Sequence, residues 1–472
     1  MPLPGPGLKE NGVSFQTGDG VKLSGTVDRV LRHAVVFELF SPQAMPRLSE
    51  VIEELKIFAH GREIYSGRAV VRNVVDAGTK IVCEAALDDT HWQDLGFNLA
   101  HRIDGRIERE FSLFLQEWQK FYKILPDFKV VVADLQSFLY ELRLWTEQIQ
   151  LRLRSALPVE RAHLEREACQ QAIKNAAPAF AEMFEKFEAI CRHIDPDNAG
   201  AHAAFARRML HPLLLSSPFM HRIYTKPRGY AGDYEMVSMI LRDPFEGDSL
   251  FAKLLNVFIL TQVPAEAHRN RIKHLVGRLV EETNRAYQAG KRCRIYNVAC
   301  GPAGEVQQFL ANYDLSQHAD LTLLDADEET LRYTAGALQQ VQRDHERNNE
   351  IKFVKKSVYQ LLKPGAGSKT FDGEYDFIYS AGLFDYLNDE VSQTIVELCY
   401  AALAPGGLLL VTNVDPVNPI RNIMEYIYEW HLIYRNGNQM MELVARLPAD
   451  AVATIKSDLT SANVILEVRK PS

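Results

Sequence analysis

The sequence predicts a multidomain α/β protein with three structured parts. Short β-rich runs separated by Gly, Pro and Asp turns fill residues 13–92, which predicts a small β-barrel. Apolar residues at three- and four-residue spacing dominate residues 93–288 and predict a helical region. Strands alternate with helices over residues 289–472, as in a parallel α/β sheet. Residues 1–12 are expected to be a flexible tail, and 472 residues suffice for two or three domains.

Composition and charge exclude several classes of protein. Apolar residues make up 47% of the chain and charged residues 24%, which is typical of globular proteins and not of disordered or fibrous ones. The six cysteines include no CxxC pair, so we expect free thiols, no metal site and a reducing compartment, the cytoplasm. The net charge of −8 argues against nucleic-acid binding. We expect neither a signal peptide nor a transmembrane segment, because no sufficiently long apolar stretch occurs.

The order of the N-terminal β-rich runs resembles that of a PilZ domain. Many PilZ domains bind cyclic di-GMP through an RxxxR segment ahead of the barrel and a D/N-x-S-x-x-G turn. The turn motif is missing here, and an RxxxR at Arg68 and Arg72 lies inside a predicted strand late in the domain. Alternation places both arginines on one face, which we interpret as an exposed strand face. We therefore expect a degenerate PilZ-like barrel that does not bind cyclic di-GMP.

The helical region carries long apolar stripes, among them residues 111–118 and 138–145. Such stripes pack within a subunit or form a dimer interface, and the pattern leaves both open. A homodimer through this region is therefore one expectation. The stripes themselves indicate no chemistry.

A strand over residues 294–298 runs into a glycine-rich turn and then a helix. Gly301 and Gly304 let the backbone pass close to a ligand, and Ala299 lies at the start of the turn. The free N–H groups at the new helix favour a carboxylate. A turn of this kind is also common as a purely structural feature, so its interpretation depends on the residues at the ends of the later strands.

The next strands end in further candidate ligand-binding residues. Asp325, at the end of the second strand, is placed to accept hydrogen bonds from two ribose hydroxyls. Asp327 is a second candidate, which an N-cap role for the following helix also explains. The other predicted cofactor-binding residues at the strand ends are Ala326, Ser357, Val358, Ser380, Gly382 and Leu383.

The order of these features resembles that of class I methyltransferases that use S-adenosyl-L-methionine (SAM), from about residue 294 to the C-terminus. The resemblance depends on the glycine turn, the acid at Asp325 and the Ala404-Pro-Gly-Gly turn before the fifth strand. It implies a Rossmann-like domain with a seven-stranded sheet and SAM as the cofactor. An NAD enzyme is disfavoured, because its fingerprint is G-x-G-x-x-G and the turn here is shorter and contains Pro302.

A loop over residues 224–236 combines cations, aromatic residues and glycines within the helical region. Lys226 and Arg228 are candidates to hold an anionic acceptor, with Tyr224 beside them. Tyr230 and Asp233 are predicted to contact the cofactor. A plain turn between two helices explains the same residues less well.

A segment over residues 424–435 is predicted to be a helix rich in aromatic residues. Together with the loop over 224–236, it resembles a bacterial subfamily that includes the methyltransferase forming 3-hydroxypalmitic acid methyl ester. The resemblance implies a small apolar or 3-hydroxy fatty acid as methyl acceptor. The predicted acceptor-binding residues in the C-terminal part are Phe384, Tyr386, Asn413, Trp430, His431 and Tyr434.

The candidate catalytic residues are Arg228, Tyr230 and His431. A carboxylate acceptor needs positioning more than a base, whereas a hydroxyl or amine would need one, from His431 or Asp415. Two other functions stay open. One is methylation of a protein or another small molecule, and the other is a signalling receptor with a SAM-binding domain.

Overall fold

The computed structural model describes residues 11–18, 20–31, 33–40, 45–59, 62–76, 80–88, 92, 124–362, 371 and 373–472. These residues form two compact units. The first comprises residues up to 231 together with 245–258 and 420–431, and the second comprises 232–244, 259–419 and 432–472. The apolar stripe predicted over 111–118 lies outside the described residues, as do residues 1–10 of the predicted tail.

The first six strands form a closed barrel in the order β1-β2-β3-β6-β5-β4, in which every neighbouring pair is antiparallel. They are β1 (Asn11–Gln16), β2 (Lys22–Leu31), β3 (Ala34–Phe40), β4 (Val51–Ala59), β5 (Arg62–Asp76) and β6 (Lys80–Leu87). Alternate side chains such as Val13, Phe37 and Ile57 fill the interior. The predicted small N-terminal barrel is confirmed.

Helices dominate the next part of the chain. They are α1 (Pro126–Leu153), α2 (Pro158–Cys191), α3 (Pro196–Leu214), α4 (Pro218–Thr225), α5 (Tyr234–Leu241), α6 (Leu250–Leu260) and α7 (Val263–Gln288). Each of α1 to α4 starts with proline, whose fixed φ suits the first helical position. Helices α5 and α7 belong to the second unit, although the sequence boundary at 289 assigned them to the helical region.

No single helix among those described has the length and hydropathy needed to cross a membrane. Helices α6 and α7, which follow each other across a bend, meet that criterion only when they are taken together, and then by length and composition alone.

The second unit contains a seven-stranded sheet in the order β12-β13-β11-β10-β7-β8-β9. Its strands are β7 (Cys293–Val298), β8 (Ala319–Asp325), β9 (Ile351–Lys355), β10 (Tyr375–Ser380), β11 (Leu403–Val414), β12 (Val452–Ser457) and β13 (Asn463–Arg469). Strands β7 to β11 are parallel to one another, whereas β13 is antiparallel to both β11 and β12. The predicted seven-stranded Rossmann-like sheet is confirmed.

The remaining helices in the described part of the chain are α8 (Gly304–Asn312), α9 (Glu328–Asp344), α10 (Val358–Leu361), α11 (Asp389–Ala401), α12 (Arg421–Tyr428) and α13 (Gly437–Glu442). Apolar side chains cover both faces of the sheet. The strand order reverses between β7 and β10, and in parallel α/β sheets ligands bind beyond the carboxyl ends of the strands at such a point. The glycine turn after β7 lies there.

Two predictions about local structure are wrong. The aromatic helix predicted over 424–435 ends at Tyr428, because Glu429 adopts a left-handed conformation with φ of 52°. Trp430, His431 and Tyr434 therefore lie on an irregular segment. Arg68 and Arg72 do not form an exposed strand face, since both are partly buried and Arg68 pairs with Glu429. The expectation of free thiols is confirmed, because all six cysteines are unpaired and buried.

Candidate functional site

The turn between β7 and α8 is formed by left-handed residues at alternate positions. Ala299, Gly301 and Ala303 have φ values of 58°, 53° and 49°. Ala303 is the N-cap of α8, and no side chain caps the first turn of that helix. Backbone N–H groups at such a helix start, together with the helix dipole, favour a ligand carboxylate.

The two glycines of this turn have different roles. A Cβ atom placed on Gly301 would meet nothing within 4 Å, so the backbone there borders open space. A Cβ atom on Gly304 would lie 2.8 Å from Leu241 Cδ1, so this glycine allows α5 to pack closely on α8. Of the two, Gly301 is therefore the one that leaves room for a ligand.

Asp325 ends β8 beside the glycine turn. Its Oδ2 accepts a hydrogen bond from the Gly301 N–H at 3.0 Å, and its Oδ1 accepts one from the Asp327 N–H at 3.0 Å. Burial raises the pKa of Asp325, and these backbone hydrogen bonds oppose the rise. Asp327 caps α9 by accepting from the Glu329 N–H, which confirms the structural interpretation of Asp327. Ala326 connects the two acids.

The side chains predicted at the ends of β9 and β10 make internal contacts. Ser357 forms a capping box with Gln360 at the start of α10, and Val358 lies in the core. Ser380 Oγ donates to Val298 O at 2.8 Å. Gly382 follows with φ of 93°, and Leu383 leads into a short 3₁₀ turn over Phe384–Tyr386. The backbone at Gly382 is thus the part of this segment that borders the switch point.

Three predicted acceptor-binding residues of the second unit differ in accessibility. Phe384 is fully buried in the core. Asn413 is also buried, where it donates to Ile433 O at 2.7 Å and accepts from Arg435 Nη1 at 2.8 Å. Tyr386 is partly exposed, and its hydroxyl would lie 2.9 Å from a Cβ atom on Gly232, so that glycine permits the approach.

Two residues of α7 at this end of the sheet were not predicted from the sequence. Arg271 Nη2 lies 2.6 Å from His268 Nδ1, and each residue is only 8% exposed. The Arg271 guanidinium reaches Gly382, since a Cβ atom placed there would lie 3.4 Å from Arg271 Nη1. The available signal was a His and an Arg three residues apart, on one face of a helix otherwise packed on the core.

Two buried carboxyl groups contribute to the field at Arg271. Burial raises the pKa of Asp385 to about 6, although Arg271 and the Val414 N–H oppose the rise. Burial also raises the pKa of Glu305, which accepts from Tyr379 Oη at 2.8 Å and from Asn297 Nδ2 at 3.0 Å. Burial lowers the pKa of Arg271, and the charges of Asp385 and Glu305 oppose this by favouring the charged guanidinium.

The predicted acceptor loop is divided between the units. Tyr224, Lys226, Arg228 and Tyr230 belong to the first unit, whereas Asp233 belongs to the second and caps α5 by accepting from the Met236 N–H at 2.9 Å. Burial lowers the pKa of Lys226 to about 7, and its Nζ donates to Tyr428 O at 3.0 Å. Arg228 and Tyr230 are partly buried.

His431 and Trp430 also lie in the first unit. The His431 N–H donates to Ser49 Oγ at 2.6 Å, and that hydroxyl donates to His431 O at 2.8 Å. His431 Nε2 is buried without a hydrogen-bond partner among the described residues. Burial, followed by the charges of Arg72 and Lys226, lowers the pKa of His431 well below its usual value, so the ring is neutral. Asp415, the alternative base, accepts from the Val417 N–H in the second unit.

No protein-family model matches this chain, and no curated protein matches it in sequence. Among solved structures, a "possible exported protein" from Bordetella parapertussis is 20% identical over 58% of this chain and 88% of its own, with a TM-score of 0.42. Magnesium protoporphyrin IX methyltransferase from Synechocystis with bound S-adenosylhomocysteine (SAH) is 15% identical over 45% of this chain and 87% of its own, with a TM-score of 0.33. The N-methyltransferase NodS from Bradyrhizobium japonicum in complex with SAH is 16% identical over 51% of this chain and 98% of its own, with a TM-score of 0.31. At these identities and TM-scores the function has to be inferred from the residues of the chain.

Proposed function

We propose that this protein is a SAM-dependent methyltransferase. The observation that carries the proposal is the pairing of the glycine turn with Asp325 at the switch point of a methyltransferase-like, seven-stranded sheet. The uncapped start of α8 suits the methionine carboxylate of SAM, and Gly301 leaves open space beside it. The Asp325 carboxylate, at the end of the neighbouring strand, suits the ribose hydroxyls. SAM supplies an activated methyl group when it is bound.

An NAD enzyme fits these residues less well. The dinucleotide fingerprint G-x-G-x-x-G uses its second glycine for close approach to a pyrophosphate. Here left-handed Ala303 follows Pro302 in a shorter turn, and Gly304 already lies in the helix and packs against Leu241. A ligand with a carboxylate in place of a pyrophosphate is therefore the better match.

The proposed acceptor is the carboxylate of a small apolar or 3-hydroxy fatty acid, and the product is its methyl ester. A carboxylate oxygen is already a nucleophile, so the protein has to position it and exclude water. Arg228 and Tyr224 are proposed to orient the acid, and Tyr230 to cover the donor. Lys226, the other predicted cation of this loop, is fully buried and donates to Tyr428 O, so it is not proposed to contact the acid. His431 is neutral, but burial and the charges of Arg72 and Lys226 disfavour its protonated form, so it is a weak base for a hydroxyl acceptor. Protein methylation is the alternative with the same donor site.

The barrel and the helices have proposed roles of their own. The closed six-stranded barrel is compatible with a PilZ-like domain, and engagement of Arg68 by Glu429 supports the expectation that cyclic di-GMP does not bind. Exposed apolar residues on α1 and at the start of α2, including Tyr140, Trp145 and Val159, support self-association. Six unpaired cysteines support a reducing compartment such as the cytoplasm.

The proposal is tested by incubating the purified protein with labelled SAM and a panel of free and 3-hydroxy fatty acids. We expect labelled methyl esters from the wild type, and their loss in Asp325→Ala and Arg228→Ala. SAM binding should be lost only in Asp325→Ala, because Arg228 is assigned to the acceptor. Absence of SAM binding by the wild type contradicts the methyltransferase assignment. Binding without any ester contradicts only the fatty-acid acceptor.

A further inference from the structure

Arg271 and His268 form a buried polar pair to which the proposed donor site assigns no role. Both residues are on α7, one turn apart, and Arg271 Nη2 donates to His268 Nδ1 at 2.6 Å. Burial, followed by the charges of Arg271 and Arg269, lowers the pKa of His268 well below its usual value. The ring is therefore neutral, and because Nδ1 accepts, Nε2 carries the proton.

Each member of the pair has a buried donor without a partner. Arg271 Nε and His268 Nε2 are inaccessible to water and make no hydrogen bond within the described part of the chain. A buried donor left without an acceptor is destabilising, so two adjacent ones are unusual in a native structure. Both groups are donors, and the missing partner must therefore supply acceptor atoms.

The charge at the pair is also not neutralised by direct contact. Among the described residues Arg271 makes no ion pair, although Asp385 and Glu305 act on it electrostatically. Asp385 instead accepts from the Val414 N–H at 2.7 Å, and Glu305 accepts from Tyr379 and Asn297. A guanidinium without a directly bonded carboxylate is suited to receive an anion.

The position of the pair connects it to the switch point. Gly382 follows β10 with φ of 93°, and the Arg271 guanidinium lies beside it: a Cβ atom placed there would be 3.4 Å from Nη1, an ordinary van der Waals contact. The positive φ, more than the space, favours glycine at this position. The pair therefore lies at the carboxyl end of the parallel strands, where ligands of such sheets bind.

We propose that Arg271 and His268 bind a carboxylate of a ligand of the methyltransferase site. This inference rests on the proposed function, in which two ligands carry such a group: the methionine part of SAM, and the acid acceptor. Both would supply acceptor oxygens to the Arg271 guanidinium, whose Nη1 lies nearest to Gly382. Arg271 Nε and His268 Nε2 are closed to a water-sized oxygen in this structure, so a ligand would reach them only after the two side chains shift. The chemistry is the same for both sources, and the experiment separates them.

The first part of the experiment tests the methyl donor. It measures the affinity of Arg271→Gln for SAH and for S-adenosyl-3-thiopropylamine, which differs from SAH only in lacking the carboxylate. If the pair holds the methionine carboxylate, SAH binding weakens roughly tenfold to a hundredfold, and binding of the decarboxylated analogue stays unchanged. His268→Gln should show the same selectivity to a smaller extent. Arg285→Gln, on the same helix and paired with Glu282, is the matched control and should bind both ligands normally.

The second part of the experiment tests the methyl acceptor. It measures binding of 3-hydroxypalmitate and of its methyl ester to the complex of the protein with SAH. If the pair holds the acceptor, Arg271→Gln weakens binding of the acid by a similar factor and leaves SAH and the ester unchanged. Arg271→Lys keeps the charge, and its circular dichroism spectrum and melting temperature show whether the site tolerates substitution. The inference is overturned if Arg271→Gln binds SAH as tightly as the wild type does and, in addition, either binds the acid equally well or the wild type does not bind the acid at all. Failure of the wild type to bind SAH contradicts instead the proposed function itself.

Discussion

The guanidinium of Arg68 on β5 lies 2.8 Å from the carboxylate of Glu429, the residue at which helix α12 ends. Arg207 pairs with the same carboxylate at 3.0 Å. Burial alone would raise the pKa of Glu429, but Arg207, Arg68 and Lys226 outweigh it and hold the pKa far below its usual value. A single buried carboxylate thus interacts with three basic side chains of the first unit.

Glu429→Gln should therefore destabilise the first unit strongly. The substitution keeps the size and shape of the side chain but leaves Arg68 and Arg207 without an opposite charge in a buried place. Removing one partner of a buried ion pair costs about 3–5 kcal/mol. We expect a large fall in the free energy of unfolding in urea, followed by tryptophan fluorescence.

Glu425→Gln is the matched control for this measurement. Glu425 pairs with Arg421 on the same helix, but that arginine is 45% exposed and the pair spans one helical turn. Such a pair contributes about 0.3–0.5 kcal/mol. Equal effects of the two substitutions would show that the Glu429 cluster contributes no more than a surface pair.

The pH dependence of stability is a second consequence of this cluster. Burial lowers the pKa of Lys226 from 10.5 to about 7, so between these values the unfolded chain binds more protons than the folded one. Stability should therefore rise with pH from about 7 upward, by at most about 1.4 kcal/mol per pH unit. The rise is best measured below about pH 8.5, because above it unfolded cysteine thiols begin to ionise.

Lys226→Met isolates the contribution of Lys226 to this profile. The difference in the free energy of unfolding between wild type and variant should shift in favour of the wild type as pH rises from about 7 to about 8.5. Titrations common to both proteins cancel in the difference. A difference independent of pH would mean that Lys226 stays fully protonated throughout the window.

Strands and caps were predictable from the sequence because their determinants are local. The alternation that closes the barrel, the apolar strand before Gly301 and the N-cap at Asp327 all depend on residues a few positions apart. The end of α12 was not predictable in this way. Glu429, the left-handed residue at which it ends, pairs with Arg68, which is 361 positions away in the chain.

The candidate site was predictable only where the backbone defines it. The glycine turn and Asp325 were found from their order, whereas composition could not reveal that Ser380 and Asn413 are occupied by internal hydrogen bonds. Arg271 was missed because it precedes the turn and meets Gly382 only through the fold. A single histidine and arginine on a helix carry no signal until their unsatisfied donors are visible.

Asp325→Asn should weaken SAH binding by at least about tenfold, because an amide replaces one of the acceptor oxygens and the negative charge is lost. The side chain still offers one oxygen to Gly301 or Asp327, so the fold should persist. The measurement is isothermal titration calorimetry with SAH.

Asp327→Ala is the control for the Asp325 substitution. It removes the cap of α9 and should cost about 1 kcal/mol of stability with SAH affinity nearly unchanged. If Asp327→Ala weakened SAH binding more than Asp325→Asn, the two acids would have to exchange their assigned roles.

Arg435 is a buried positive charge that organises the segment after β10. It is 1% exposed and donates to Phe384 O at 2.8 Å, to Leu387 O at 2.6 Å and to Asn413 Oδ1 at 2.8 Å. Its partner Asp389 lies at 2.7 Å but is itself largely exposed. The carbonyl contacts, more than the ion pair, therefore fix the positions of Asp385 and Tyr386 between them.

Arg435→Met should consequently destabilise the second unit and impair ligand binding together. The methionine fills part of the space but leaves two carbonyl oxygens and the Asn413 amide without a donor, each at a cost of about 1–3 kcal/mol. Asp389→Asn removes only the exposed charge and should change stability by less than about 1 kcal/mol. Urea unfolding and SAH titration of both variants check this expectation. A similar loss in both would assign the stabilisation to the ion pair, and intact SAH binding in a destabilised Arg435→Met would separate the segment from the ligand site.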